Sequence, residues 1–452
     1  MHRLLPLFLA ALCAASASAA AADVDLSDAA LLKDGALPAL TAATLDSWPA
    51  TAGKMRFAFQ GDGKDRAVWL GGNRDFRRTD VRAFDFPVYE IQAAFRPDGG
   101  TLAQLELVLF SRGDVVQSGS KGGPLAGKIA AAVHDAKAFK ELVAAARARV
   151  EKELGPPVDP RPRNMSRVDD HDQRQLVWKS KSGEVRLSFG LTKVGQSFRG
   201  EYVRVAVRPA DPAAGAAPPA PLAGPRPAGA ANEAKITANR ADAAKNVVRR
   251  PDGLVFVDNI PMVDQGDKGY CAVATLERLI RYYGGTASQH ELAQLADTGD
   301  GGGTMVRSDR FVSPDVCRQF GFKQETVDVE KPDTEKLLKA YNRRATVKLD
   351  AGKKATVRDV ALALQDADPA TLAAAAAETK ELRKFVPTVK KYVDKGIPLV
   401  WEIPGHIRLL IGYDEAAGRI AYSDSWGAGH ELKTMPVAEA FLLTQALFAV
   451  RP

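Results

Sequence analysis

Asp264-Gln-Gly-Asp-Lys-Gly-Tyr-Cys-Ala-Val-Ala-Thr-Leu-Glu-Arg278 places Cys271 where a glycine-punctuated loop becomes a helical pattern. Val273, Leu276, Leu279, Ile280 and Tyr283 recur at three- and four-residue spacing, and Gly284-Gly285 supplies a C-terminal stop. The pattern predicts an amphipathic helix with Cys271 at its N-terminus. There the positive end of the macrodipole favours a thiolate, the form of cysteine that attacks electrophiles. Gln265, six positions upstream, can offer its side-chain N–H to a developing oxyanion beside the Cys271 backbone N–H. Gly266 and Gly269 let the approach loop take positive φ and come close to a substrate. The competing reading of Cys271 is a small buried hydrophobe on a core helix.

The C-terminal end supplies partners for a nucleophile. Ile397-Pro-Leu-Val-Trp-Glu-Ile403 reads as a strand, Pro404-Gly405 breaks it, and His406-Ile-Arg-Leu-Leu-Ile-Gly-Tyr413 reads as a second. Asp414-Glu-Ala-Ala-Gly418 is turn-like, and Arg419-Ile-Ala-Tyr-Ser-Asp424 reads as a third strand. The last two predict a hairpin centred near Ala416. About that centre His406 and Asp424 share parity, so both side chains face one way unless a bulge intervenes. A carboxylate beside an imidazole fixes its tautomer and raises its basicity, which completes a nucleophile, base and orienter set.

Gln265, Cys271, His406 and the run Asp424-Ser-Trp-Gly427 resemble the papain-like cysteine peptidases. In that family a glutamine precedes the cysteine by six, and the orienting residue opens an Asn-Ser-Trp-Gly motif. The aspartate at 424 and the short segment between cysteine and histidine are closer to the bacteriocin-processing (double-glycine) peptidases, a bacterial branch of the same fold. The resemblance covers roughly residues 255–452. It implies a papain-like fold there, a cysteine-bearing helix on an antiparallel sheet bearing His406 and Asp424, with Gln265 as oxyanion donor. Peptide bonds are the implied substrate, and no cofactor is implied. Trp426 is expected to shield the His406 to Asp424 contact. The same thiol chemistry admits an amidase or acyl transferase, and a catalytically silent peptide-binding module could keep the same fold. No run in 1–452 reads as the exporter segment to which the bacteriocin-processing enzymes are usually fused, so none is expected here, and residues 305–395 are longer and more charged than a minimal peptidase needs.

Residues 1–22 have the charged, apolar and small-residue parts of a secretory signal peptide, with Cys13 preceded by a leucine that fits lipoprotein processing poorly. The expectation is a bacterial protein exported to the periplasm or beyond, with no later run able to span a bilayer. Export raises a disulfide between Cys271 and Cys317 as the rival to a reactive thiol. The formal charge of +7 becomes +6 once Arg3 leaves with the signal, and no basic stripe or motif supports nucleic-acid binding.

At 452 residues and 46% hydrophobic content the chain has room for two or three domains. Residues 209–245 begin with an Ala-, Pro- and Gly-rich stretch that cannot build a core and reads as a linker. It separates an N-terminal domain, 23–208, from a C-terminal one, 246–452. In the N-terminal domain, strand-like runs at 54–59, 88–95, 105–110, 175–179, 185–190 and 202–207, with a helical stretch near 125–154, predict an α+β layer of antiparallel sheet with one long helix. Alternation in Val88-Tyr-Glu-Ile-Gln-Ala-Ala-Phe95 and Glu184-Val-Arg-Leu-Ser-Phe189 predicts one wet face. Substrate binding, anchoring, masking of the cleft and passive support are all open roles for it. His290 follows an N-cap candidate, Ser288, and reads as a surface or capping residue, and His430 reads as a loop histidine. His134 and His171 have no metal-ligand spacing, so no metal site is expected.

Overall fold

The structure is a computed structural model of the chain. It describes residues 24–26, 58–60, 66–70, 81–95, 102–118, 125–164, 171–180, 183–194, 197–209, 243–266, 268–285, 287–296, 317, 321–330, 334–350, 352, 363, 367–427 and 429–452. The signal segment at 1–22 and nearly all of the Ala/Pro-rich stretch lie outside the described residues.

In the N-terminal half the strands are β1 (Val24–Leu26), β2 (Ala58–Gln60), β3 (Arg66–Leu70), β4 (Val81–Ala83), β5 (Phe86–Pro87), β6 (Glu90–Phe95), β7 (Leu102–Ser111), β8 (Arg163–Asn164), β9 (His171–Ser180), β10 (Gly183–Val194) and β11 (Ser197–Pro209). Eight of them form an antiparallel sheet in the order β2-β3-β6-β7-β11-β10-β9-β8, and β1, β4 and β5 form a small second sheet. Helices α1 (Arg112–Ser118), α2 (Ala126–Ala132) and α3 (Ala136–Leu154) follow β7. The one long helix expected over 125–154 is thus two. Asp135 ends the first by leaving helical geometry, and its carboxylate accepts from the Lys137 N–H at 2.8 Å to cap the second. Phe139, Leu142, Ala146 and Val150 of α3 pack into one core with Ile91, Leu105, Leu107, Leu187, Val203 and Val205 of the sheet.

The opposite face of this sheet carries the alternating polar residues, and it is not wet where the sheet meets the C-terminal half. Glu90, Gln92, Gln104, Glu106 and Arg204 are all buried, Glu90 completely. Alternation reports which residues share a face and not what covers that face.

The C-terminal half has strands β12 (Val247–Arg249), β13 (Val255–Val257), β14 (Lys323–Val327), β15 (Leu399–Ile403), β16 (His406–Asp414), β17 (Arg419–Ser423), β18 (Lys433–Pro436) and β19 (Ala446–Arg451). They make a second antiparallel sheet, β12-β13-β16-β15-β19-β14, with β17 pairing β16 and β18 pairing β17. Helices α4 (Cys271–Tyr282), α5 (Gln289–Leu295), α6 (Thr334–Arg344), α7 (Pro369–Ala376), α8 (Lys380–Val393) and α9 (Val437–Leu443) surround it. Its core is a separate cluster, with Val273, Leu276, Leu279 and Ile280 of α4 among Leu399, Trp401, Leu409 and Leu410 of the sheet. Fully burying each such side chain contributes about 1.5–3 kcal/mol. The whole is an α+β molecule whose C-terminal half is papain-like, with a helix bearing the cysteine laid on an antiparallel sheet.

Helix α4 departs from simple amphipathicity. Besides its apolar residues, Thr275, Glu277 and Arg278 are fully buried, so the helix is enclosed on nearly every side. Buried charge on a central helix requires partners, and these partners build the site.

Candidate active site

Cys271 is the first residue of α4 and is half-buried, so its thiol sits at a helix N-terminus within reach of solvent. The loop before it turns tightly. The Asp264 carboxylate accepts from the Gly266 N–H at 2.9 Å, and Gly266 and Gly269 take φ of 61° and 67°, the left-handed region where a side chain is strained. Cys317 is buried in the apolar core, where loss of solvation pushes its thiol up to about 11. Both Cys271 and Cys317 are thiols, with no disulfide between them.

His406 opens β16 directly after the Pro404-Gly405 turn, and Asp424 lies one residue beyond β17. Near the turn the pairing is Asp414↔Arg419, Tyr413↔Ile420 and Gly412↔Ala421, which places the turn centre half a residue beyond Ala416. Continued unchanged, that register would put Asp424 opposite Leu409, on the face away from His406. A bulge between Leu410 and Gly412 shifts the pairing to Leu409↔Ser423. Asp424 therefore falls opposite Arg408, one same-face step from His406. The side chains meet, with His406 Nε2 2.6 Å from Asp424 Oδ1.

The Cys271 side chain acts on the same imidazole. With Nε2 on Asp424, the nitrogen left for the thiol is Nδ1. Burial opposes the charged imidazole, but Asp424 and Cys271 together outweigh it and raise His406 to about 9. For Asp424, burial raises the pKa, yet His406, Arg408 and the Ser425 N–H hold it below the ordinary aspartate value. Trp426 is half-exposed and stacks on the His406 ring at 4.9 Å between centroids, covering it from solvent. His430 lies edge-on to Trp426 at 5.6 Å between centroids and is half-buried rather than fully exposed.

Gln265 is placed by the same motif. Its backbone N–H donates to the Ser425 carbonyl at 2.8 Å, and its Oε1 accepts from the Ser425 hydroxyl at 2.7 Å. The carbonyl end of the amide is thereby occupied, which leaves the NH2 end as the donor for a ligand. Ser425 N–H donates in turn to Asp424 Oδ1 at 2.9 Å. Gly427, at φ 83°, closes the turn against the loop, and a Cβ there would lie 2.4 Å from Asp264 Oδ2.

Sequence reasoning passed over Ser425 and Arg278. Arg278 lies two turns after Cys271 on α4 and is completely buried. It donates to the Pro261 carbonyl at 2.9 Å, to the Asp424 carbonyl at 2.8 Å and to Ser423 Oγ at 2.5 Å, tying the cysteine helix to the end of β17. Burial lowers its pKa to about 10 despite the pull of Asp424. Its seven-residue offset, which puts Arg278 on the same helix face as Cys271, was the available signal.

His290 is the clearest correction. It is buried, not on the surface, with Nε2 3.1 Å from Glu90 Oε2 of β6. Ser288 occupies the N-cap position of α5 but makes no side-chain cap bond, and the buried Glu277 carboxylate accepts from the Gln289 N–H at 2.5 Å instead. Among the described residues no group of three or more His, Cys, Asp or Glu could hold a metal ion, and no helix is long and apolar enough to cross a membrane.

A half-buried thiol at a helix N-terminus, near a histidine that is bonded to a carboxylate on a neighbouring strand, is similar to the arrangement of the papain-like cysteine peptidases. Residues 257–444 match the model of the Peptidase_C39 like family, a cysteine-peptidase type at family level. The match lies in the C-terminal half and leaves the N-terminal sheet outside it. No curated protein and no solved structure matches the chain.

Proposed function

We propose that the protein is an exported cysteine peptidase that cleaves peptide bonds with Cys271 as nucleophile, His406 as general base and acid, Asp424 as orienter and Gln265 as oxyanion donor. The observation that carries this reading is the His406 to Asp424 hydrogen bond, with the Cys271 side chain acting on the same imidazole and the Gln265 amide fixed to Ser425.

His406 takes the thiol proton and the thiolate attacks the peptide carbonyl. The oxyanion is met by Gln265 Nε2 and the Cys271 N–H. The imidazolium, favoured at neutral pH by a pKa of about 9, protonates the leaving amine. Water then attacks the thioester, with His406 again accepting a proton. Asp424 holds the imidazole by Nε2 so that Nδ1 faces the thiol, and Trp426 limits competing water. Export is the part of the proposal that rests on residues 1–22, and a peptide substrate the part that rests on the family.

Two measurements test it. Cys271→Ala is expected to abolish turnover of a denatured-protein substrate while the unfolding transition stays in place, and retained turnover would sink the assignment. Iodoacetamide is expected to label Cys271 at mildly acidic pH, with the profile moving toward that of an ordinary thiol in His406→Ala. Labelling with no dependence on His406 favours the silent binding module instead.

A further inference from the structure

The loop between the oxyanion donor and the nucleophile is gripped from the N-terminal half. Lys268, three residues before Cys271, is 1% exposed and extends into the N-terminal sheet. Its Nζ donates to Glu90 Oε2 at 2.8 Å and lies 3.5 Å from Asp114 Oδ2 of α1. Glu90 also accepts from Gln92 and faces His290 Nε2, so the carboxylate is fully enclosed by donors. Burial alone would raise Glu90, but the Lys268 ammonium and His290 hold it well below the ordinary carboxylate range. Burial alone would lower Lys268, but Asp114 and Glu90 hold it above its ordinary value. The pair is therefore ionised across the working range of pH.

A second contact reaches the residue next to the thiol. Tyr270 packs against Gly113 of α1 so closely that a Cβ at 113 would lie 2.8 Å from the tyrosine ring. On either side, α5 is tied to the same sheet: Arg204 bonds Glu106 at 3.0 Å and also bonds Glu291, while Gln294 donates to the Leu191 carbonyl at 2.8 Å.

We propose that Glu90, with Asp114, is a positioning residue for the catalytic loop. Through Lys268 the N-terminal sheet fixes the backbone between Gln265 and Cys271, and with it the spacing of the two oxyanion donors. The N-terminal half is in this account a part of the active-site scaffold rather than a removable mask. The inference rests on the assignment of Cys271 and Gln265 made above. A buried ion pair is a poor device for stability alone, because desolvation cancels much of the attraction, but it fixes geometry well. Misplacing a reacting or stabilising group by about 1 Å costs on the order of a hundredfold in rate.

The test uses the full-length chain and two small probes that differ in one respect. p-Nitrophenyl acetate acylates a thiol through a tetrahedral oxyanion, whereas iodoacetamide alkylates it by direct displacement with no oxyanion. Glu90→Gln is expected to slow acylation of Cys271 by about tenfold or more while changing alkylation by less than about twofold. Lys268→Met should slow acylation similarly, and the double variant should be no slower than the worse single one. Acylation of Cys271 in Glu90→Gln at the wild-type rate overturns the proposal. An equal fall in both reactions together with a lost unfolding transition makes Glu90→Gln a folding variant, and Asp114→Asn, on the same ammonium, then decides: a selective loss of acylation upholds positioning, and any other result overturns it. A wild-type chain that neither acylates nor alkylates at Cys271 removes the nucleophile assignment itself, and the positioning role falls with it.

Discussion

The loop 265–271 is held at two places by opposite kinds of chemistry. On the C-terminal side, Ser425 and Asp424 hold Gln265 and His406 through hydrogen bonds inside one half of the chain, among residues that are buried but close to the cleft. On the N-terminal side, Glu90 and Asp114 hold Lys268 through a fully buried ion pair, reaching across 178 residues in the case of Glu90. In the proposed mechanism the first anchor orients the groups that react, and the second fixes the backbone from which two of those groups project. The difference teaches that residues of a proposed catalytic motif can lie in one half of a chain while contacts from the other half hold the loop that carries them.

Breaking the second anchor should give the largest stability effect. Lys268→Met leaves Glu90 and Asp114 buried without their cation, and removal of one partner from a buried pair costs about 3–5 kcal/mol. Chemical denaturation of the full chain measures this, and a loss under about 1 kcal/mol would show that water or another cation replaces the ammonium. Next in size is the first anchor's product. Gln265→Ala removes an oxyanion donor and should lower kcat by about 10²–10³ with little change in stability, in line with the loss of one preorganised donor. A variant that raises KM and leaves kcat alone would place Gln265 in substrate binding. Smaller again is Ser425→Ala, which frees the Gln265 amide to rotate but leaves its backbone bond to the Ser425 carbonyl. A neutral hydrogen bond of this kind is worth about 1 kcal/mol, or several-fold in kcat. If Ser425→Ala matches Gln265→Ala, the hydroxyl is itself a donor to the oxyanion.

The two anchors were unequally legible in the sequence. Cys271, Gln265, His406 and Asp424 stood out because each sits in a short local pattern: a helix start, a six-residue offset, a strand after Pro-Gly, a strand end. The facing of His406 and Asp424 followed from parity about the hairpin, but for a reason the sequence did not display. The true centre lies half a residue past Ala416, which alone would have turned Asp424 away, and the bulge at 410–412 turns it back. The eight-stranded N-terminal sheet was visible as alternation in Val88-Tyr-Glu-Ile-Gln and its neighbours. Its partner on the polar face was not. Glu90 read as solvent-facing because charge is usually solvated, and only tertiary contact shows that Lys268 lies opposite it, as Glu291 does Arg204. His290 was misplaced for the same cause. Nothing local marks a histidine whose partner lies 200 residues away.

The smallest expected effect separates the anchors by pH. In the folded protein His406 titrates near 9 rather than 6.5, so the fold holds the protonated imidazole more tightly than the unfolded chain does. The stabilisation is fully present below about pH 6.5 and is lost as pH rises through about 9. Asp424→Asn replaces the anionic acceptor with a neutral one and lowers the histidine's pKa. The stability advantage of the wild type over this variant should therefore be greatest near neutrality and shrink by about 1 kcal/mol by pH 10, a shift of the imidazole discounted for its partial exposure. At the other anchor Glu90 is held low and Lys268 high, so that pair keeps its charges through the same window. Denaturation of wild type, Asp424→Asn and Lys268→Met at pH 7 and pH 10 makes the comparison. An Asp424→Asn deficit that stays constant between the two pH values would mean that Asp424 stabilises the fold through Ser425 and Arg408 rather than through a charged His406.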